Sequence, residues 1–207
     1  MRDENGRMVS PDNFISAAER YGITPNIDRW VIENALRWLV SEADERERLA
    51  LCSINLSGAS LADNEFLPFV IRQFQRSGID ASKICFEITE TAAIADIAGL
   101  QRWARRLKEL GCGFALDDFG TGFSSFAYLQ ALPVDLVKID GSFVRDLDTN
   151  PTNRALVGAM VAVAHALGKT VVAEMIERGP VADILRELGA EYGQGWFWGK
   201  PGLADQS

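Results

Sequence analysis

The feature that most constrains this fold is a regular alternation of short apolar runs with segments of helical periodicity. Six such runs, separated by the helical segments, read LALCSINLS, KICFEIT, GFALDDF, VDLVKID, KTVVAEMI and EYGQGWFW. Their apolar residues are nearly continuous, which indicates parallel strands covered on both faces. The sequence predicts an α/β fold of repeated strand–helix units, either an open doubly wound sheet or a closed eight-stranded barrel. No glycine-rich phosphate fingerprint follows the first run, which disfavours a dinucleotide-binding fold.

Two details of this pattern are specific enough to test against a structure. After the second run we expect one long helix that continues through Leu110, with Gly111 as its C-terminal cap. The last run, EYGQGWFW, is expected to form a single strand.

Every predicted strand ends in, or in one case contains, a polar residue. These residues are Asn55, Glu87, Asp117 with Asp118, Lys138 with Asp140, Glu174 and Gln194. Because parallel strands bring their C-terminal ends to one edge of a sheet, we expect these side chains to converge. Any one of them could instead be a helix cap or a surface charge. Six strands with the same feature favour a functional site.

The chemistry of this set points to hard divalent cations. Carboxylate and amide oxygens suit Mg²⁺ or Mn²⁺, and the lack of histidine at the strand ends argues against zinc hydrolase chemistry. The adjacent Asp117 and Asp118 could serve two ions about 3.5–4 Å apart, an arrangement that clamps a phosphodiester. Lys138 would then be the fixed cation near the attacking water or a phosphate oxygen. The alternative for Asp118 is turn chemistry with the glycines that follow it.

Composition limits the classes of partner and the compartment. The chain has 29 acidic and 21 basic residues, a formal charge of −8, which argues against binding duplex nucleic acid or an anionic membrane surface. No apolar run reaches the roughly 18 residues of a membrane span, and no signal-peptide pattern opens the sequence. The three cysteines match no zinc spacing and are expected to be buried free thiols in a reducing cytoplasm. The single histidine, His165, is expected to be structural.

The motifs of this chain resemble those of a known bacterial family. INLS, FEITE, DDFGTGFSSFAYL, LPVDLVKID, VVAEMIE and YGQGWFWGKP resemble, in this order, the motifs of EAL-domain cyclic di-GMP phosphodiesterases, and GRMVSPDNFISAAERYGI resembles the family's first helical region. The likeness covers essentially the whole chain, so we expect residues 1–207 to be a single EAL-type domain. The resemblance implies a TIM-like (β/α) barrel that hydrolyses cyclic di-GMP to linear pGpG with Mg²⁺ or Mn²⁺.

The resemblance also implies which residues would hold two metal ions. Asn55, Glu87 and Asp117 match the ligands of the first ion. Asp117, Asp118 and Glu174 match the ligands of the second, and Glu174 is also a candidate base. On this reading the adjacent aspartates are tolerated because metal lies between them.

Further roles are implied around this metal centre. Lys138 and Asp140 match the pair that positions the attacking water, whereas Glu177 and Gln194 match residues that face the substrate. All four are therefore predicted to take part in substrate binding or hydrolysis.

A loop next to the predicted centre has its own expected anchor. Glu90, with Thr121, matches the anchor of the mobile loop Phe119 to Ser125, which in this family couples metal binding to dimer contacts. The expected partners are cyclic di-GMP, a second copy in a homodimer of the complete protein, and possible fused sensory or GGDEF domains.

Two departures from the family pattern bear on activity. The sequence contains no Glu-Ala-Leu triplet and no phosphate-binding arginine after it, and it begins where that motif would end. We therefore expect the barrel to lack its first two strands. In AEMIERGPV, Met175 replaces a glycine close to the site and is expected to narrow the pocket.

Three functions remain open from the sequence. The first is metal-dependent hydrolysis of cyclic di-GMP in bacterial second-messenger signalling. The second is a catalytically degenerate domain that acts as a cyclic di-GMP receptor or a protein-interaction module, and the third is metal-assisted proton abstraction, which a Lys-x-Asp strand end also suits. We expect residues 1–207 alone to be poorly soluble or oligomeric and to hydrolyse cyclic di-GMP negligibly, because sheet edges are open and two charged groups are missing.

Overall fold

A computed structural model of the protein describes residues 9, 11–42, 47, 49–122 and 126–202. The strands within these residues are β1 (Cys52–Asn55), β2 (Ile84–Thr89), β3 (Gly113–Phe119), β4 (Leu136–Ile139), β5 (Thr170–Ala173) and β6 (Tyr192–Gly193). The helices are α1 (Pro11–Arg20), α2 (Thr24–Ser41), α3 (Gly58–Ala62), α4 (Phe66–Ser77), α5 (Glu90–Ala95), α6 (Ile97–Leu110), α7 (Phe126–Ala131), α8 (Gly141–Val144), α9 (Pro151–Ala166) and α10 (Gly179–Leu188), and a 3₁₀ turn spans Ala81–Lys83. Not one of these described helices has the length and apolar character that a membrane crossing requires.

The strand order confirms the predicted α/β class and separates the two architectures that the sequence left open. The six strands lie in one sheet in their order along the chain, and β3–β4, β4–β5 and β5–β6 pair in parallel. A doubly wound sheet reverses its strand order at a switch point, whereas the strands of a TIM-like barrel follow one another in sequence. The described strands follow the barrel order, and they are six where a closed barrel has eight.

The chain divides into two compact units by its internal contacts. The first contains Met1–Phe86 and Ala98–Cys112, and the second contains Glu87–Ile97 and Gly113–Ser207. The expectation of a single domain over residues 1–207 stays a prediction.

In the first unit, α4 packs its apolar face against α2. Phe66, Val70 and Phe74 are buried and recur every four residues, which places them on one face of α4. Arg29 of α2 lies over the ring of Phe66, 4.9 Å from its centroid, and pairs with Asp63 at 2.6 Å. The guanidinium therefore covers the aromatic face at the edge of this core while its charge stays paired.

In the second unit, the middle strands supply the core. Residues 114–116 of β3 and 137–139 of β4 are buried without interruption. Helix α9 packs against β4 and β5 and buries Val157, Met160, Val161 and Ala164. Continuous burial of this kind is expected of parallel strands covered on both faces, so the apolar runs of β3 and β4 were interpreted correctly, whereas β5 is buried only at alternate residues and β6 is exposed.

Two predicted elements differ from the structure. The long helix after β2 is two helices, because Asp96 between them has φ −143° and ψ 72°, outside the helical region. Aspartate favours helix ends over helix interiors, since its side chain competes for backbone hydrogen bonds. The last strand is only Tyr192–Gly193. A Cβ at Gly195 would lie 2.1 Å from the Ile176 carbonyl oxygen, so the chain there runs directly against another segment and leaves the strand.

Candidate active site

Lys138 of β4 lies at the centre of the acidic cluster. Its Nζ is 2.7 Å from Glu87 Oε2, 3.0 Å from Asp117 Oδ1 and 2.7 Å from Glu174 Oε1, and its side chain is 5% exposed. Burial on its own would lower the pKa of Lys138, but the hydrogen bonds to Glu174 and Glu87 outweigh it and raise the pKa above its ordinary value. Lys138 is therefore a fixed ammonium that three carboxylates from neighbouring strand ends share.

Three carboxylates next to this ammonium could hold a metal ion. Asp117, Asp118 and Glu174 each offer an oxygen within 4.8 Å of the others. Burial raises the pKa of Glu174 despite the opposing contacts with Lys138, and burial followed by the nearby Asp117 and Asp140 raises the pKa of Asp118. The cluster therefore holds more negative charge than Lys138 neutralises, and its all-oxygen donor set fits a hard divalent cation.

In Asp117 and in Glu174, one of the two carboxylate oxygens contacts Lys138. Lys138 contacts Asp117 Oδ1 and Glu174 Oε1. Among the described residues, Asp117 Oδ2 and Glu174 Oε2 accept no protein hydrogen bond. One oxygen of each carboxylate is thus held in place, and the other is free for an ion or for solvent.

The backbone at Asp118 adopts a conformation that few residues other than glycine take. Asp118 has φ 57°, and its carbonyl oxygen accepts hydrogen bonds from the Thr121 backbone N–H at 3.3 Å and from Thr121 Oγ1 at 2.9 Å. Aspartate and asparagine tolerate this left-handed region better than most residues, although at some cost. The backbone of Asp118 therefore forms a turn with Thr121. Among the described residues its carboxylate accepts no capping hydrogen bond and stays available to the cluster.

Glu90, the predicted anchor of the loop, is buried and contacts the loop at Gly120. It is 2% exposed, and its Oε2 accepts a hydrogen bond from the Gly120 N–H at 3.0 Å. Its Oε1 is buried without a hydrogen-bond partner among the described residues. Residues 123–125 of the predicted loop lie outside the described residues. The first part of the loop is therefore held by Glu90, and the coupling to a dimer stays a prediction.

For Asp140 and Asn55, which were predicted to act at the metal centre, the structure shows other features than the predicted contacts. The Asp140 carboxylate accepts a hydrogen bond from the Ser142 N–H at 2.9 Å and caps α8, which is the alternative that the sequence left open. Asn55 is the exposed last residue of β1, in the first compact unit. Their roles in positioning water and in binding the first ion stay predictions.

A cavity of about 960 Å³ in the second unit adjoins Glu174. Its wall includes Glu177 and Gln194, the two residues predicted to face a substrate. It also includes residues that the sequence analysis did not single out, namely Arg145, Trp196, Trp198 and Lys200. Their positions in the sequence could have indicated them, because the loops that follow barrel strands line the functional face and these residues lie shortly after β4 and β6.

Met175, which was predicted to narrow the pocket, lies in the cavity wall with an unusual backbone conformation. It has φ 52°, in the left-handed region that favours glycine, and it is 49% exposed in the cavity wall. Its side chain covers Gly141, where an added Cβ would lie 2.5 Å from Met175 Sδ. Its Sδ also accepts a hydrogen bond from Arg145 Nη2 at 3.7 Å. Met175 thus has an unfavourable backbone conformation, and its side chain contacts Gly141 and Arg145.

Fold and site together define an α/β protein of the TIM-like class whose strand ends carry an acidic cluster suited to divalent ions. Its family follows from the sequence, because the profile described as EAL domain matches residues 1–201, and the chain belongs to that family. It is 42% identical over 196 residues to cyclic di-GMP phosphodiesterase PdeB of Shewanella oneidensis and 36% identical over 203 residues to cyclic di-GMP phosphodiesterase PdeF of Escherichia coli. These matches cover 95% and 97% of this chain but only 23% and 27% of those proteins, so the chain spans about a quarter of each.

A solved structure agrees in fold over almost the whole chain. The PaMucR phosphodiesterase, in complex with c-di-GMP, is similar with a TM-score of 0.91 and 31% sequence identity. The similarity covers 99% of this chain and 83% of that one. The TIM-like α/β assignment therefore rests on strand order and on structural similarity alike.

Proposed function

We propose that this chain binds cyclic di-GMP and, with Mg²⁺ or Mn²⁺, hydrolyses one of its phosphodiester bonds to give pGpG. The observation that carries the proposal is the Lys138 ammonium held between Glu87, Asp117 and Glu174, next to a carboxylate group that can hold an ion. The names of the two curated relatives and the ligand of the similar structure support this substrate.

The residues of the cluster have separable roles in this proposal. Asp117, Asp118 and Glu174 would hold one ion, and Asn55, Glu87 and Asp117 would hold a second. Bound divalent ions supply a water of lowered pKa and polarise a phosphodiester oxygen. Lys138 fixes the orientation of Asp117 and Glu174, and as a permanent cation at the strand ends it stabilises negative charge on a phosphate oxygen.

The cavity beside Glu174 is the proposed place of the nucleotide. Trp196 and Trp198 are 58% and 57% exposed, and the indole surface that Lys200 does not cover is available for stacking with bases. Glu177 and Gln194 supply polar groups in the same wall. A cavity of about 960 Å³ lies within the range of about 300–1,000 Å³ that small-molecule ligands occupy in proteins.

A second function, binding of cyclic di-GMP without hydrolysis, is favoured by Met175. Its side chain occupies the cavity wall directly after Glu174, where the resembled motif has glycine. A ligand held slightly away from the cluster would still bind, but it would not react, because reaction depends on near-contact geometry. The chain would then be a receptor domain.

The cellular setting belongs to the same proposal. We place the chain in bacterial second-messenger signalling in the cytoplasm, in a homodimer when the protein is complete. Since the curated relatives are about four times longer than the part that this chain matches, fused sensory or GGDEF domains are proposed as partners.

The test incubates cyclic di-GMP with an excess of the 207-residue chain and Mn²⁺, and reads the products by chromatography. An excess of protein makes slow turnover visible, which matters because the sequence predicts negligible hydrolysis by this chain alone. We expect slow formation of pGpG that a chelator abolishes and that Asp117→Ala also abolishes, since Asp117 is proposed for both ions. Arg186→Ala, a change at an exposed residue of α10, is the control.

Binding of cyclic di-GMP is measured in parallel by calorimetry with Ca²⁺ in place of Mn²⁺, so that a cation balances the carboxylate cluster. Binding without any pGpG would refute the phosphodiesterase and leave the receptor. Neither binding nor product would refute both functions. Product formation that survives Asp117→Ala would show that the acidic cluster does not carry the reaction.

A further inference from the structure

Arg145 differs from the other arginines of the second compact unit. Arg154, Arg178 and Arg186 each pair with a carboxylate, with nitrogen–oxygen distances of 2.6–3.0 Å, to Glu187, Asp148 and Asp183. Among the described residues Arg145 pairs with no carboxylate. Its guanidinium donates to Met175 Sδ at 3.7 Å, and a thioether sulfur is a weak acceptor. Most of its five donors are therefore free in the wall of the cavity next to Glu174.

Although Arg145 is exposed, one contact holds its backbone and a second, weaker contact restrains its side chain. Its backbone carbonyl accepts a hydrogen bond from Arg178 Nη2 at 2.8 Å, and Arg178 is itself held by two hydrogen bonds to Asp148, at 2.6 and 2.8 Å. Met175 Sδ accepts a weak hydrogen bond from the guanidinium of the Arg145 side chain. An unheld surface arginine would lose more rotamer freedom when it bound a ligand, so this arrangement lowers the entropic cost of binding.

The backbone at Met175 adds an independent reason to assign it a role. A methionine at φ 52° lies in the left-handed region, where its Cβ crowds the following carbonyl oxygen, and a glycine would avoid that cost. A glycine, however, would have no side chain to contact Arg145. The strained backbone of Met175 therefore occurs together with a side-chain contact to the guanidinium of Arg145, which has no carboxylate partner among the described residues.

We propose that Arg145, positioned by Met175, binds the second phosphate of a cyclic dinucleotide. This inference rests on the proposed function. A cyclic dinucleotide carries two phosphodiester groups, each with one negative charge. When one of them lies at the carboxylate cluster, the other needs a cation elsewhere in the cavity. The described cavity wall offers Arg145 and Lys200, and Lys200 Nζ lies over the ring of Trp196, 5.1 Å from its centroid.

The arrangement selects for the number of phosphates that a ligand carries. Linear GpG has the same bases and a single internucleotide phosphate, so it can occupy the cluster without reaching Arg145. Arg145 therefore sets the preference for the cyclic ligand, whereas the carboxylate cluster can take a phosphodiester group of cyclic di-GMP or of GpG. Met175 acts through Arg145 and is a positioning residue.

The experiment measures the dissociation constants of cyclic di-GMP and GpG for the 207-residue chain with Ca²⁺ in place of Mn²⁺, so that a cation balances the carboxylate cluster, and chromatography establishes that neither ligand is cleaved. Loss of a charge-assisted hydrogen bond predicts that Arg145→Ala weakens cyclic di-GMP about 10- to 100-fold and GpG less than about 3-fold. Arg145→Lys should recover part of the loss, because it keeps the charge. Met175→Leu keeps the apolar bulk but removes the sulfur, and it should weaken cyclic di-GMP about 2- to 5-fold with GpG unchanged.

Arg186→Ala is the matched control, an arginine of the same unit that already has a carboxylate partner. Unchanged thermal unfolding of each variant establishes that the fold is intact. Failure of the wild-type chain to bind cyclic di-GMP would refute the proposed function together with this inference. Wild-type binding with equal affinity in Arg145→Ala would refute this inference alone. Equal weakening of both ligands would also overturn it, because Arg145 would then not distinguish the second phosphate.

Discussion

Asp118→Asn should stabilise the protein when no divalent ion is bound. Burial, together with the nearby Asp117 and Asp140, raises the pKa of the Asp118 carboxyl, so its ionised form is disfavoured in the fold. Asparagine has nearly the same shape, removes the charge and tolerates φ 57° equally well. Because Asp118 is only half-buried, solvent screens the repulsion, and we expect a gain of about 0.5–1 kcal/mol. For a chain of this length, that gain corresponds to a rise of about 1–4 °C in the unfolding temperature.

The same change one residue earlier is the control. Asp117→Asn also removes one negative charge, but it breaks the contact between Asp117 and Lys138 at 3.0 Å. We expect no stabilisation from it, because a largely buried ion pair is lost along with the repulsion. Differential scanning calorimetry in a chelating buffer, followed by addition of Mn²⁺, measures both effects. Both variants should lose the increase in unfolding temperature that Mn²⁺ gives the wild type. If Asp118→Asn lowers the metal-free unfolding temperature as much as Asp117→Asn, the repulsion argument fails.

Three further predictions follow from the same geometry. Lys138→Met should lower the free energy of unfolding by about 3–5 kcal/mol in urea titrations, because it leaves buried carboxylates unpaired. Since the pKa values of Asp118 and Glu174 are raised in the fold, the folded state binds more protons, and metal-free stability in thermal melts should rise as the pH falls from about 7 to about 5. Burial raises the pKa of Cys112 to about 12, so at neutral pH iodoacetamide should label it at least about 10-fold more slowly than the half-buried Cys52.

The fold was predictable because its sequence signal repeats. Each of the six apolar runs contains a strand. The polar residues Glu87, Asp117 and Lys138 lie within the last three residues of their strands, and Glu174 directly follows β5. The convergence of these four side chains follows from strand direction alone. Continuous burial of residues 114–116 and 137–139 follows from coverage of the sheet on both faces.

The features that could not be predicted from the sequence depend on contacts between segments that are distant along the chain. The shortness of β6 is set by the approach of Gly195 to the Ile176 backbone, which no local pattern reports. Arg145 looks like any surface arginine until the carboxylate partners of its neighbours are known. Met175 stood out in the sequence only by comparison with a family motif, and its positive φ explains why glycine is the residue expected there.

The position of Lys138 explains how an acidic cluster can be stable and still be ready for an ion. Four close carboxylates without a cation would raise one another's pKa values and take up protons, which would remove them as ligands. Lys138 offsets part of this negative charge, because its ammonium contacts one oxygen each of Glu87, Asp117 and Glu174. Among the described residues the other oxygens of Asp117 and Glu174 accept no hydrogen bond, and Asp118 offers a further oxygen within 4.8 Å of this pair. Lys138 therefore preorganises the ligands, and the charge that it leaves unneutralised favours entry of a divalent cation.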